Sequence, residues 1–78
     1  MDIYTFAQCP SPEGTTFAVY RNGDEEVEDN LSISQVYHRI HRELERFVDD
    51  GLMNTDTAFY LASDWIAYNE CMEGLLSL

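Results

Sequence analysis

Seventy-eight residues make one domain with one small core, and 15 aspartates and glutamates against four arginines and no lysine give a formal net charge of −11. Hydrophobic residues at 45% and aromatics at 13% exclude a disordered acidic tail, so the acids ride on a folded body. Cys9 and Cys71 lie 62 residues apart and form no CxxC, so neither a disulfide scaffold nor a zinc module is indicated. The start Met1-Asp2-Ile3 has neither a basic n-region nor a long apolar run. No signal peptide or membrane span is read there, and the expected compartment is a reducing cytoplasm with both thiols free, the alternative being a Cys9–Cys71 disulfide.

In chain order, residues 2–8 are rich in β-formers and read as a strand. Cys9-Pro10-Ser11-Pro12-Glu13-Gly14 reads as a loop, because its prolines lack ladder donors. Thr15 to Arg21 reads as a second strand. Asn22-Gly23 is a two-residue type I′ hairpin signal, and Asp24-Glu25-Glu26-Val27-Glu28-Asp29 is the returning strand. That turn sets Arg21 opposite Asp24, Tyr20 opposite Glu25 and Val19 opposite Glu26. Asp24, Glu26 and Glu28 then form a comb of carboxylates on one face of a short edge strand.

Ser32 and Gln35 make a capping-box pattern at the head of a first helix. Ile33, Val36, Tyr37, Ile40, Leu44, Phe47 and Val48 fall on its apolar stripe at 100° per residue. Gly51 suits the position just past its end, and Arg46 is placed to offset Asp49 and Asp50 there. A second helix is expected from Asn54 or Thr55 to about Met72, with Gly74 breaking the pattern. Ala58, Leu61, Ala62, Trp65, Tyr68 and Met72 form its buried side. Asp56, Tyr60, Ser63, Asp64, Ala67, Glu70 and Cys71 form its wet side. The expected fold is α+β: a three-stranded antiparallel sheet (1–31, with the acidic hairpin), then two antiparallel helices (32–78) packed on one face of it.

The charge is segregated. Residues 1–31 carry seven acids and one arginine, 32–48 two acids and three arginines, and 49–78 six acids and no base. The acidic run has two readings: a rigid anionic comb for a basic groove, or a solvated edge that discourages edge-to-edge pairing. A calcium loop is disfavoured because the D-x-[DN]-x-[DN]-G spacing is missing. His38 and His41, spaced i,i+3 with Glu45 beyond, have the spacing of a metal pair, but Arg39 and Arg42 flank them and the reading is two solvated histidines. No metal or other cofactor is expected. No nucleophile elbow, phosphate loop or cysteine–base pair is present, so no enzyme is expected. Arg39, Arg42 and Arg46 interleave with Glu43 and Glu45, which reads as local ion pairing. Direct DNA binding is opposed by the net charge.

A small, strongly acidic domain with the run 24–29 and with Asp49, Asp50, Asp56, Asp64, Glu70 and Glu73 resembles the phage-borne anti-CRISPR proteins and the DNA-mimic inhibitors of restriction enzymes. The resemblance spans the whole chain in size, charge and layout and rests on no signature motif. It implies a non-enzymatic inhibitor, acting in a bacterial host's cytoplasm, on the basic DNA- or PAM-recognition surface of a CRISPR effector. The arginine stripe departs from a pure phosphate mimic. The candidate partner-binding residues are Asp24, Glu25, Glu26, Glu28 and Asp29 in the hairpin, and Asp49, Asp50, Asp56, Tyr60, Asp64, Glu70 and Glu73 beyond it. The alternative is an acidic interaction module, such as an antitoxin, immunity protein or accessory subunit, that binds one protein through apolar anchors. The monomeric or dimeric state stays open at this stage.

Overall fold

The computed structural model describes residues 1–78 as an α+β domain. Strands β1 (Tyr4–Ser11), β2 (Gly14–Arg21) and β3 (Glu25–Leu31) form an antiparallel sheet in the order β1-β2-β3. Three helices follow: α1 (Ile33–Asp49), α2 (Thr55–Leu61) and α3 (Trp65–Leu76).

β1 extends through Cys9, Pro10 and Ser11, which sequence reading assigns to a loop, and it closes on Gly14 by the short turn Pro12-Glu13. Pro10 is tolerated because of register. Ile3 exchanges bonds with Asn22 and is paired through hydrogen bonds, so the ladder positions on β1 are the odd residues. Even residues direct their backbone groups to the outer edge. Pro10 therefore lacks a donor only where β2 needs none.

The outer edge of β1 is bonded by α3 at Tyr4 and Phe6. Asn69 accepts from the Phe6 backbone N–H at 2.9 Å and donates its amide to the Phe6 carbonyl at 2.5 Å. The Tyr68 hydroxyl donates to the Tyr4 carbonyl at 2.9 Å. Phe6, Phe17, Val19 and Leu31 from the sheet meet Val36, Ile40, Leu44 and Phe47 from α1 and Tyr68 and Met72 from α3 in one core, with Ile3 and Leu61 completing it. Trp65 meets Phe17 edge-on, with ring centroids 5.1 Å apart.

α1 forms as its sequence dictates. The Ser32 hydroxyl accepts from Gln35 N–H, and the Gln35 side chain accepts from Ser32 N–H. At the other end Gly51 adopts φ +74°, Gly51 N–H bonds to Val48 and Leu52 N–H to Phe47, a Schellman closure. Ile33 is the exception on the apolar stripe, being exposed on the first turn.

The expected second helix is two helices. Asp64 leaves helical geometry at φ −144°, ψ 98°, and its carboxylate accepts from Ile66 and Ala67 N–H. An aspartate competes well for these unsatisfied donors, so it starts a helix better than it continues one. α2 packs on α1 and α3, while α3 packs on β1. Gly74 sits inside α3 rather than ending it. Ala67 and Cys71, read as solvent-facing, pack partly buried against the core, and both cysteines are unbonded.

Replacing Asn69 with leucine removes both edge bonds and leaves the Phe6 amide and carbonyl facing an apolar side chain. The expected loss is about 1–3 kcal/mol, read as a lower midpoint in urea unfolding with an unchanged m-value. A second outcome follows from Tyr68, whose phenol is pushed well above the ordinary tyrosine value, first by burial and then by the nearby Glu43 carboxylate. The unfolded chain releases this proton near about pH 10 while the native chain keeps it. The Tyr68 contribution is complete below that pH and drains away as pH rises through the native value. Tyr68→Phe, which costs about 1 kcal/mol for the lost bond at neutral pH, should flatten the alkaline decline in urea midpoint.

Candidate protein-binding surface

The acidic hairpin does not take the expected register. Asn22 is drawn toward β1: its N–H bonds to Ile3 carbonyl at 2.7 Å, and its Oδ1 accepts from Ile3 N–H at 2.9 Å. The turn is then three residues, Asn22-Gly23-Asp24, with Asn22 at φ 55° and Gly23 at φ 90°. Arg21 lies across from Glu25 instead of Asp24, and their side chains pair at 2.6 Å. The bidentate Arg21 guanidinium holds the Glu25 carboxyl below the usual carboxylate range.

Beyond Glu25 the ladder is irregular twice. Tyr20 pairs with Glu26, Val19 with Glu28 and Phe17 with Leu31, so β3 gains one extra residue at each step. Val19 and Tyr20 are successive residues of β2 and face opposite sides of the sheet. Glu26 and Glu28 are therefore split between the two faces, and Asp24 is in the turn. The single comb of Asp24, Glu26 and Glu28 does not form. The extra residue at this step turns Glu28 to the helix side, where it forms an ion pair with Arg39 of α1. Asn30 takes φ 60°, and Leu31 returns to the core opposite Phe17.

The remaining acids gather elsewhere. Asp49 and Asp50 are exposed at the end of α1, and Asp56 is exposed in the first turn of α2. Glu70 and Glu73 are exposed on α3. Asp64 is half-buried and committed to the α3 N-cap. Arg46, expected to offset Asp49 and Asp50, instead pairs with Glu43 at 2.6 Å, donates to the Asp2 carbonyl at 2.8 Å and lies 5.2 Å from the Phe47 ring centre. It ties the N-terminal segment to α1. Arg21, Arg39 and Arg46 are each paired, which leaves Arg42 as the arginine without an ion pair. Three of the 15 acidic side chains are paired in this way, and the other 12 (15 less 3) have no cationic partner.

Three grooves border α1. One, of about 320 Å³, is lined by Glu28, Leu31, Ser34, Gln35, His38 and Arg39 and is mostly polar. The remaining two are more apolar. The first of these, of about 260 Å³, lies against the sheet and is lined by Tyr4, Phe6, Val19, Val27, Glu28, Arg39, Arg42 and Glu43. The other, of about 300 Å³, lies between α1 and α2 and is lined by His41, Leu44, Glu45, Val48, Asp49, Thr55, Ala58, Phe59 and Ala62. Phe59 is 82% exposed and Tyr60 62% exposed on α2. Tyr60 was a candidate from sequence; Phe59 was not. Its signal was the run Phe59-Tyr60-Leu61, since successive residues of a helix are 100° apart and only Leu61 turns into the core. No three histidine, cysteine or carboxylate groups converge as metal ligands, and no helix is long and apolar enough to cross a membrane.

No protein-family model, curated protein or solved structure matches the chain.

The two faces of the hairpin predict opposite outcomes for two neighbouring glutamates. Glu28→Gln removes the Arg39 pair and should cost about 0.5 kcal/mol. Glu26→Gln removes an unpaired charge from a crowded anionic strand and should leave stability unchanged or raised, most clearly at low salt. Urea midpoints at two ionic strengths separate these outcomes.

Proposed function

We propose that this protein is a non-enzymatic, anti-CRISPR-like inhibitor that occupies the basic DNA- or PAM-recognition surface of a CRISPR effector complex and keeps DNA out by acidic electrostatics. The observation that carries this reading is the unbalanced charge: three of the four arginines are neutralised within the fold, while 12 carboxylates (15 less 3) face no cation. Apart from Asp64, which caps α3, and Asp2, which accepts from the Asn22 amide, those carboxylates accept no hydrogen bond within the chain. A lysine- and arginine-lined channel supplies the missing counter-charges, since effectors hold their nucleic acids in positively charged channels and read the PAM with arginines.

The field acts first on the rate. Charges of opposite sign steer encounter and raise association by about 10- to 1000-fold at low salt. DNA meets the same channel through its phosphates, so the two compete for one set of cations. The protein has no condensed counterion layer to release, and its salt dependence should be shallower than that of DNA.

The alternative reading is an interaction module held mainly by apolar anchors. It has its own support in Phe59, at 82% exposure, beside Tyr60.

The test uses purified effector complexes of several CRISPR types, labelled target DNA and increasing amounts of this protein. Loss of the DNA shift for at least one effector, weakening as salt rises, is the expected result. The variant Asp24→Asn, Glu26→Gln, Asp29→Asn and the variant Asp56→Asn, Glu70→Gln, Glu73→Gln each remove three unpaired charges. At least one should slow association with that effector by about tenfold. Undiminished DNA binding by every effector, or equal association by both folded variants, would rule the electrostatic mimic out.

A further inference from the structure

The α1–α2 groove differs from the rest of the α1 surface in its charge. α1 contributes Glu45 and Asp49 to it, together with His41, while Arg39 and Arg42 line the groove against the sheet and Arg46 is spent on Glu43 and Asp2. The chain from Asp49 onward has no base at all. The formal charges bordering this groove are therefore anionic.

Its interior is apolar. Leu44, Val48, Ala58 and Ala62 line a space of about 300 Å³, large enough for one bulky side chain. Phe59 stands at the rim, 82% exposed, where packing within this chain leaves it in water. A rigid aromatic beside an apolar slot, with carboxylates around it, has the anatomy of an interface centre with a polar rim.

Charge complementarity decides the occupant. A second copy would bring another net −11 and, from residues 49–78, no cation to set against Glu45 and Asp49. A membrane surface with anionic headgroups is opposed for the same reason. We infer that the α1–α2 groove binds a cationic amphipathic segment of a partner protein, with one apolar side chain inserted beside Phe59 and arginine or lysine on either side meeting Glu45 and Asp49.

The inference rests on the reading of this chain as a binder of basic proteins, and it adds a place and an apolar contact that pure charge mimicry does not need. Under it, the acids bring the partner in and the groove holds it. Affinity then depends on the order of apolar and basic residues in the partner, and not on its charge alone.

The probe is a synthetic helical peptide with a leucine stripe on one side and lysines on the other, compared with a scrambled peptide of the same composition that disperses the stripe. Backbone amide shifts of the full chain are followed during titration. The amphipathic peptide should move the amides of residues 44–49 and 55–62 and bind about tenfold more tightly than its scramble. Phe59→Ser, at an exposed position that leaves the core intact, should weaken it about tenfold. Glu45→Gln with Asp49→Asn should weaken it as well and reduce its salt dependence. Equal binding of both peptides, with shifts at Glu25–Asp29 and no effect of Phe59→Ser, overturns the groove while leaving the electrostatic reading standing. No binding of either cationic peptide at low salt removes both. Concentration-dependent shifts of the same groove amides without peptide overturn the inference in favour of a second copy.

Discussion

The closure of β1 by Asn69 is the constraint on which the layout of the surface depends. A three-stranded sheet has two edges, and each presents unpaired peptide groups. Asn69 offers its side-chain amide as a substitute peptide to Phe6, donating and accepting once each. Tyr68 adds a bond to Tyr4 from the adjacent position on α3. A helix that bonds a strand edge in this way is fixed in both position and rotation. Trp65 then meets Phe17, Tyr68 meets Phe6, and Leu76 comes within reach of the Gly23 turn. With β1 bonded by α3 at Tyr4 and Phe6, the opposite edge is β3, the acidic strand. Its bulges and its charges both oppose pairing with another strand, so the sheet is protected at one side by a helix and at the other by its own irregularity.

The acids divide by what the fold asks of them. Asp64 starts α3, Asp56 sits where the N-terminal end of the α2 dipole favours an anion, and Glu25, Glu28 and Glu43 each hold an arginine. These carboxylates have structural work. Asp49 and Asp50 do not: they lie at the C-terminal end of α1, where the dipole disfavours them by about 0.3–1 kcal/mol each. Arg46, the nearest cation in sequence, is turned elsewhere. Gly51 and the Schellman bonds terminate the helix without help from either acid. Asp49, at an energetic disadvantage beside the apolar α1–α2 groove, is an acid whose presence stability does not account for.

Much of this architecture is legible in the sequence, and the parts that are not share a cause. The α1 capping box, its apolar stripe and Gly51 are local patterns, complete within a few residues, and the helix follows them from Ile33 to Asp49. The Asn22-Gly23 signal is also local, but its register was decided by Ile3, 19 residues earlier in the chain. Glu28 is taken out of the comb by the bulge before it and meets Arg39 on another element. Pro10 stays in a strand because no fourth strand pairs on its outward side, a fact no local pattern contains. The break at Ser63-Asp64 was readable in principle, since aspartate prefers a cap. A continuous apolar stripe from Ala58 to Met72 hid it, because both α2 and α3 turn their apolar sides to the same core. The acid count was legible; which acids remain unpaired was not.

Charge and apolar contact contribute to binding at different stages, and this chain separates them in space. Unpaired carboxylates on β3 and on the α2–α3 side extend an attractive field about one Debye length, roughly 8 Å at physiological salt, beyond the surface. Such a field raises the rate of encounter with any basic surface but discriminates poorly among them. Discrimination requires groups that must be desolvated and fitted, which keeps the partner bound and appears in the dissociation rate. Phe59 with the apolar slot of α1 and α2 is the exposed feature of that kind lying within the acidic half of the chain. A partner that satisfied only the charges would be exchanged readily for another basic protein. One that also buried Phe59 would lose the ring's contact with water in a site where Glu45 and Asp49 are already neutralised, so the two contributions reinforce each other there.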